Sequence, residues 1–180
     1  MYKRQIGGST SAHRNIISAN GTYGINIEGS STGNFVKGNY IGIASDGATE
    51  IASSSQNAGV YITVGYPNTI GGSLAGEGNL ISGNNDGSNA GVGVHIDAVD
   101  DGNTITGNII GPQKDGSSNV TGSIQQNGIL ISGGTYNYIG GSTSAQRNII
   151  SSNAESGIVF NNSGSSGNVV KGNYIGVASD

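Results

Sequence analysis

An acidic segment, HIDAVDDGN, is the most distinctive chemical feature of this 180-residue chain. Asp97, Asp100 and Asp101 crowd one turn, and His95 lies two residues before Asp97. Hard cations such as Ca²⁺ bind several carboxylate and carbonyl oxygens, so this turn is a candidate calcium site that could bridge the protein to an acidic sugar. A glycosidase site is a second candidate, because that chemistry needs one carboxylic acid and one base or nucleophile.

The same aspartates also fit an ordinary polar turn, which is the interpretation that the sequence favours. Corresponding turns elsewhere in the chain read EGSSTG and SGSSG, and Asp before Gly is common in turns. Glu28 occupies the place that matches Asp97 in another copy of the repeat described below. Asp46, Asp86 and Asp115 also precede glycines and could touch calcium, but isolated Asp-Gly pairs are usually turns. No catalytic residue and no cofactor other than calcium is expected.

Four tyrosines are candidate ligand-binding residues because they lie at turns or at predicted outward positions: Tyr61, Tyr66, Tyr136 and Tyr138. Tyrosine rings on a regular face could stack on sugar rings, which present apolar C–H faces. The alternative, which the residues alone favour, is that the rings shield neighbouring strands.

Composition excludes several classes of partner. The chain has 7 Lys and Arg residues against 11 Asp and Glu, and they form no basic stripe, so nucleic-acid binding is not expected. No apolar run approaches the roughly 20 residues that a membrane helix needs, so membrane insertion of this segment is not expected. The absence of cysteine excludes disulfides, thiolate metal sites and thiol nucleophiles.

These candidate residues lie within an internal repeat. IGG occurs at Ile6, Ile70 and Ile139, and IGGSTSAHRNIIS and IGGSTSAQRNIIS differ by one letter. Each finer unit contains G-φ-x-φ (φ is apolar), then N-x-φ-x-G, then a segment such as NYIG or NIIS. Alternating apolar positions predict three short strands per unit, and one unit cannot bury its apolar face alone. The repeat therefore predicts an all-β fold, a parallel β-helix of about five and a half coils.

Equivalent residues of successive coils are expected to stack. The predicted interior columns are Ile25, Val60, Val94, Ile129 and Ile158; Ile27, Ile62, Ile96, Ile131 and Phe160; Ile6, Val36, Ile70, Ile105, Ile139 and Val170; and Ile17, Ile41, Ile81, Ile110, Ile150 and Ile175. Asparagine tolerates the positive φ of tight corners, and an inward asparagine can hydrogen-bond to its copies above and below. Two asparagine ladders are predicted: Asn34, Asn68, Asn103, Asn137 and Asn168; and Asn15, Asn39, Asn79, Asn108, Asn148 and Asn173.

Two coil types alternate along the chain. In one, a loop such as STSAHR separates the IGG strand from NIIS; in the other, NFVKGNYIG runs straight on and a long loop follows. Arg14 and Arg147 are equivalent, as are Lys37 and Lys171, and both pairs are interpreted as solvated charges. A second apolar column, Ile16, Tyr40, Leu80, Ile109, Ile149 and Tyr174, either faces outward under the loops or a partner, or turns inward at a corner.

The stretches IGGSTSAHRNIISANG, GNFVKGNYIGIASDG and GNVVKGNYIGVASD resemble the parallel β-helix repeats of large secreted bacterial proteins. The resemblance covers Ile6 to Asp180 and implies a right-handed, single-stranded β-helix within an exported or surface-anchored chain. Pectate lyases and polygalacturonases, which act on acidic polysaccharides, are distant relatives of this shape. Residues 1–5, MYKRQ, resemble a translated sequencing adapter and are expected to be a non-native leader, with residues 6–180 forming a β-helix segment truncated at both ends.

The leading functional hypothesis is a non-catalytic structural or adhesive stalk of a secreted or cell-surface bacterial protein. Such a stalk is expected to lie outside the cell, to bind polysaccharide or other surface glycans weakly, and to associate end to end through open strand edges. The alternative is the scaffold of a carbohydrate-active enzyme, a polysaccharide lyase or glycoside hydrolase, whose site lies partly outside this segment.

Overall fold

A computed structural model describes residues 4–29, 31–51, 56–63, 67–85, 87, 90–97, 102–122 and 125–178. The chain is an all-β parallel β-helix with three short strands per coil, and its strands form three parallel sheets. Sheet 1 contains β1 (Gln5–Gly7), β4 (Phe35–Lys37), β7 (Thr69–Gly71), β10 (Thr104–Thr106), β13 (Tyr138–Gly140) and β16 (Val169–Lys171). Sheet 2 contains β2 (Ile16–Ile17), β5 (Tyr40–Ile41), β8 (Leu80–Ile81), β11 (Ile109–Ile110), β14 (Ile149–Ile150) and β17 (Tyr174–Ile175). Sheet 3 contains β3 (Tyr23–Ile27), β6 (Ala58–Ile62), β9 (Val92–Ile96), β12 (Asn127–Ile131) and β15 (Ser156–Phe160).

The strand register confirms the four predicted interior columns. Ile62 pairs with Ile96 and Ile96 with Ile131, and the columns of sheets 1 and 2 pair in the same way. Ile62, Ile96 and Ile131 are fully buried, as are most members of the other columns. Exposure rises only in the first and last coils, where Ile6 is 36% and Ile175 45% exposed because one neighbour is lacking. Each fully buried side chain contributes roughly 1.5–3 kcal/mol, so the columns supply most of the hydrophobic stabilisation.

Glycine supplies the tight corners. Gly140 has φ +89°, and a Cβ there would collide with the Lys171 carbonyl and the Asn173 side chain of the next coil. Gly7 and Gly71 hold the same place with φ +82° and +90°, which explains the first glycine of every IGG. The expectation that asparagine adopts positive φ at corners is wrong, since among the described residues only three non-glycines do so, and none is asparagine. The ladder asparagines are instead held by side-chain hydrogen bonds.

The two coil types differ in the loops that they project. Two of the three IGG coils carry a 3₁₀ turn, at Ser11–His13 and Ser144–Gln146. The long loops after β5 and β11 contact each other across the intervening coil. The Lys114 N–H donates to the Gly47 carbonyl at 2.9 Å. Thr121 and Ala48 are joined by a similar bond at 3.2 Å. An outer layer of loops thus covers part of sheet 2, and Leu80 is only 3% exposed although Ile16 is 43% exposed.

Candidate functional site

Both predicted asparagine rows form continuous hydrogen-bonded ladders. In each row, the backbone N–H and Nδ2 of one asparagine donate to Oδ1 of the next; for Asn79 and Asn108 the distances are 3.0 and 2.9 Å. In the row that contains Asn79, a second Nδ2 hydrogen bond joins the coil below, as from Asn79 to the Val36 carbonyl at 2.8 Å. The rows run from Asn15 to Asn173 and from Asn34 to Asn168. These asparagines therefore support the scaffold, with their polar groups turned inward and satisfied.

A third amide row, which sequence reasoning missed, alternates asparagine with glutamine. Its members are Asn20, Gln56, Asn84, Gln125 and Asn153, joined Nδ2 or Nε2 to Oδ1 or Oε1 at 2.6 to 3.0 Å. Gln56, Asn84 and Gln125 are at most 1% exposed. The available signal was IS-x-N in IGG coils and Q-x-x-G in the others, which the unequal loop lengths obscured.

The outward side of sheet 3 carries a compact group of aromatic and ionisable side chains, the aromatic–acid cluster of Tyr23, Tyr61, His95 and Asp97. The Tyr23 and Tyr61 rings stack with centroids 4.2 Å apart, and the His95 ring lies 5.0 Å from Tyr61. The Tyr61 hydroxyl donates to the Asp97 carboxylate at 2.9 Å. Tyr61 and His95 are register partners on adjacent strands, and Tyr23 contributes its ring from the start of β3, the strand of the preceding coil. A cleft of about 240 Å³ beside them is also lined by Leu130.

Burial and charge change the acidity of this cluster. Partial burial, reinforced by the hydrogen bond to Asp97, raises the pKa of Tyr61 well above its usual value of 10.0. Burial also lowers the pKa of His95 below 6.5, although the Asp97 charge opposes that change. His95 Nε2 lies 3.2 Å from the Ser132 hydroxyl. At neutral pH the cluster therefore combines a neutral tyrosine with an imidazole whose neutral form is favoured by its surroundings.

The acidic segment is described only in part. Asp97 is exposed and bonded to Tyr61, whereas Asp100 and Asp101 lie outside the described residues. Within the described ranges, no three His, Asp or Glu side chains come close enough together to hold a metal ion. The calcium site built on Asp97, Asp100 and Asp101 stays a prediction.

Asp46 and Asp115 each close a turn of a long loop. Asp115 Oδ1 accepts the Ser117 and Ser118 N–H groups at 2.9 and 2.8 Å, and Oδ2 accepts the Ser118 hydroxyl. The Ser118 hydrogen bonds lower the pKa of Asp115 to about 2. Asp46 makes the corresponding bonds to Ala48 and Thr49, which lower its pKa as well. The turn interpretation accounts for both carboxylates, and Asp86 lies outside the described residues.

Two of the remaining candidate tyrosines, Tyr136 and Tyr138, lie at the outward side of sheet 1, in β13 or just before it. Tyr136 and Tyr138 are 65% and 53% exposed, the most exposed aromatic rings among the described residues. Tyr138 forms one wall of a cleft of about 360 Å³, the Tyr138 cleft, whose lining includes Thr104, Thr106, Gln146 and Lys171. Tyr66 lies outside the described residues. The structure thus separates two of the candidate tyrosines. The ring of Tyr61 packs against Tyr23 and His95, whereas the ring of Tyr138 is exposed and could contact a ligand.

Arg14, Arg147 and Lys37 make specific side-chain contacts and are not merely solvated charges, whereas Lys171 is exposed as predicted. Arg14 lies over the Tyr40 ring at 4.2 Å and Arg147 over the Tyr174 ring at 4.0 Å, and each Nε donates to a carbonyl of the next coil. These stacks partly cover the second apolar column on the outside of sheet 2. Lys37 forms an ion pair with Glu77 at 2.7 Å, and this contact lowers the pKa of Glu77. No described carboxylate lies within ion-pair distance of Lys171.

No helix among the described residues is long and apolar enough to cross a membrane. Comparison of the chain with family models, with curated proteins and with solved structures yields no match.

Proposed function

We propose that this chain is a rigid, non-catalytic stalk segment of a secreted or cell-surface bacterial protein that binds polysaccharide weakly on an outward face. The observation that carries the proposal is the continuity of the interior: three amide rows and four aliphatic columns pass through successive coils without interruption. A stack of this kind resists bending because every inner coil is hydrogen-bonded to the coils on both sides. The resemblance of the repeat to secreted bacterial β-helix proteins supports the proposed location.

The binding part of the proposal rests on the outward rings. Tyr136 and Tyr138 present large exposed ring surfaces at the outward side of sheet 1. Exposed tyrosine rings combine an apolar face with a polar hydroxyl, a combination suited to the C–H faces and hydroxyls of sugars. Few rings in a shallow cleft predict dissociation constants in the micromolar to millimolar range, which correspond to roughly −8 to −4 kcal/mol.

A glycan array with the purified chain, in the presence and absence of calcium, tests this binding. We expect weak retention of a subset of polysaccharides and loss of that retention in Tyr138→Ala. Calcium-dependent retention would support the metal site at the acidic segment, and the same array with Asp97→Asn would then lose it. Absence of retention on every glycan would refute the binding part of the proposal.

A carbohydrate-active enzyme is the second candidate, and the aromatic–acid cluster is the observation that favours it. Tyr61, His95 and Asp97 place a hydroxyl, an imidazole and a carboxylate on one face, and such groups perform acid–base catalysis in other proteins. An assay for reducing or unsaturated sugar products would test this candidate, with Asp97→Asn as the inactive control. Product formed by the wild-type chain but not by this variant would favour the enzyme over the stalk.

A further inference from the structure

Three outward residues at sheet 3 recur two coils later in the chain, and one exchange between the two sets changes their chemistry. The first set is Asn26, Glu28 and Thr63, and the second set, at the equivalent places, is His95, Asp97 and Ser132. Asn26 and His95 are both register partners of Tyr61. The backbone N–H groups of Thr63 and Ser132 make the same hydrogen bond to the strand before them, at 3.0 and 2.8 Å. The two sets therefore occupy matching sites on the same face.

In the second set, the imidazole of His95 contacts the hydroxyl of Ser132. The distance between Nε2 and Oγ is 3.2 Å, which is within the range expected between a nucleophile and its general base. In the tautomer that carries its proton on Nδ1, Nε2 accepts the hydroxyl hydrogen of Ser132. In the first set, the Asn26 amide donates to the Glu28 carboxylate at 2.9 Å, and an amide has no basic nitrogen. The exchange of asparagine for histidine thus places a base beside a hydroxyl group.

The surroundings of His95 favour transfer of a proton from Ser132. Burial lowers the pKa of His95, so its imidazole is neutral at pH 7 and able to accept a proton. The negative charge of Asp97 opposes that shift, so it stabilises the imidazolium that forms when the proton has moved. The Tyr61 ring lies 5.0 Å from the imidazole, and the Tyr61 hydroxyl holds Asp97 at 2.9 Å. Tyr61 therefore restricts both side chains.

There is space for a small acyl group or leaving group next to this pair. His95 contacts Ser132 and also lines the cleft of about 240 Å³, whose walls include the apolar side chains of Val92 and Leu130. Ser132 is half-buried, and the next two residues are glycines, so no side chain from those positions crowds its hydroxyl. The volume of the cleft restricts the group that it can hold to a small one.

We propose that Ser132 and His95 are the nucleophile and general base of a site that hydrolyses small carboxylic esters. Ser132 Oγ attacks the carbonyl carbon, its proton passes to His95 Nε2, and the alcohol leaves with that proton. A water molecule then gives a proton to His95 and attacks acyl-Ser132, and Oγ leaves with the proton as the carboxylic acid is released. This inference rests on the second candidate function, that of an enzyme, and assigns it an ester bond as target instead of a glycosidic bond.

Covalent capture of the serine tests the first step. The purified chain is treated with an alkyl fluorophosphonate, and the labelled peptide is identified by mass spectrometry. Ser132 Oγ should form a bond to phosphorus, fluoride should leave, and the proton should pass to His95. We expect labelling of Ser132 at least a hundredfold faster than labelling of the exposed Ser142, which serves as an ordinary serine in the same chain.

The internal repeat supplies matched variants for this experiment. His95→Asn installs the residue of the first set and should reduce the labelling rate of Ser132 to that of Ser142. Thr63→Ala removes the equivalent hydroxyl, which lies beside an amide instead of an imidazole, and should leave the labelling of Ser132 unchanged. Circular dichroism checks that each variant is folded, so a lost label reports chemistry and not unfolding.

Release of p-nitrophenolate from p-nitrophenyl acetate tests the complete reaction and the contribution of Asp97. Ser132→Ala should reduce the release to the background rate. Asp97 acts through His95, and its carboxylate raises the pKa of the imidazole, so Asp97→Asn should move the midpoint of the pH–rate profile to lower pH. Tyr61, the other titratable group described against His95, stays neutral in this range because its pKa is raised.

The outcomes separate this inference from the proposed functions. Labelling of Ser132 no faster than that of Ser142, or equally fast labelling in His95→Asn, would refute the nucleophile–base pair. Reducing or unsaturated sugar products formed without capture of Ser132 would keep the enzyme candidate and refute this site. Glycan retention that depends on Tyr138 is a separate property, and Ser132→Ala should leave it unchanged.

Discussion

The interior of the β-helix and its outward faces differ in how closely successive copies of the repeat resemble each other. The amide rows that contain Asn79 and Asn103 keep one residue type through every copy, because each side chain must bond to an identical neighbour above and below. Outward positions of sheet 3 change from Asn26 to Tyr61, His95, Leu130 and Val159 along the same strand register. Inside, each row keeps amide or apolar side chains that bond or pack from coil to coil, whereas the residues outside vary freely, so binding chemistry can arise there without weakening the scaffold.

The largest predicted loss of stability comes from an interior substitution, Asn79→Leu. The substitution removes the acceptor of the Asn39 backbone N–H and Nδ2, and it leaves the Val36 carbonyl and Asn108 Oδ1 short of a donor. Because these groups are buried, we expect a loss of about 3–5 kcal/mol in the free energy of unfolding. Urea denaturation followed by circular dichroism measures it. A loss below about 1 kcal/mol would show that the ladder does not stabilise the fold.

Two neighbouring residues of β12 test the difference between inside and outside directly. Ile131 is fully buried in an interior column, whereas Leu130 faces outward and is half-buried. Ile131→Ala should cost about 2–5 kcal/mol, and Leu130→Ala about 1 kcal/mol, because only the first leaves a cavity. Equal costs, measured by the same denaturation, would contradict the assignment of faces.

Gln125→Asn tests whether the third amide row needs its alternation of asparagine and glutamine. The shorter side chain has to span the same separation to Asn84 and Asn153, which Gln125 bridges at 2.8 Å on both sides. Losing one or both bonds should cost about 1–3 kcal/mol. Asn84→Ala is the matched deletion, and a Gln125→Asn variant as stable as the wild type would show that the alternation of amide lengths is not required.

The smallest predicted effect is a pH dependence on the outward face. Burial lowers the pKa of His95 in the folded chain below the 6.5 of the unfolded chain, despite the nearby Asp97 carboxylate. The unfolded state therefore takes up a proton first, and the contribution of His95 is complete above pH 6.5 and declines as the pH falls towards the folded pKa. His95→Gln should flatten the decline in stability between pH 7.5 and 5. An identical slope in both proteins would rule out His95 as its source.

Sequence reasoning succeeded where a residue type repeats and failed where it does not. The columns through Ile62 and the ladder through Asn79 followed from identical letters at regular positions. The third amide row escaped notice because Gln56 and Asn84 differ in type and lie at unequal distances before the glycine of the following G-φ-x-φ strand, which is Gly59 for the first and Gly93 for the second. The contact between Tyr61 and Asp97 was equally hidden, since outward residues of different coils meet only through strand register. The backbone conformation of the corners was predicted incorrectly. Asparagine was expected to share the positive φ there, but glycine supplies it.

Cysteine cross-linking tests the stacking of repeat-equivalent residues most directly, because the chain contains no cysteine of its own. Thr69 and Thr104 are register partners on adjacent strands, so their Cα atoms lie about 4.8 Å apart, within disulfide range. Thr69→Cys with Thr104→Cys should form an intramolecular disulfide under mild oxidation. Thr69→Cys with Thr106→Cys, two residues out of register and roughly 8 Å apart, should not. Cross-linking of the second pair in preference to the first would contradict the stacked register on which the whole account depends.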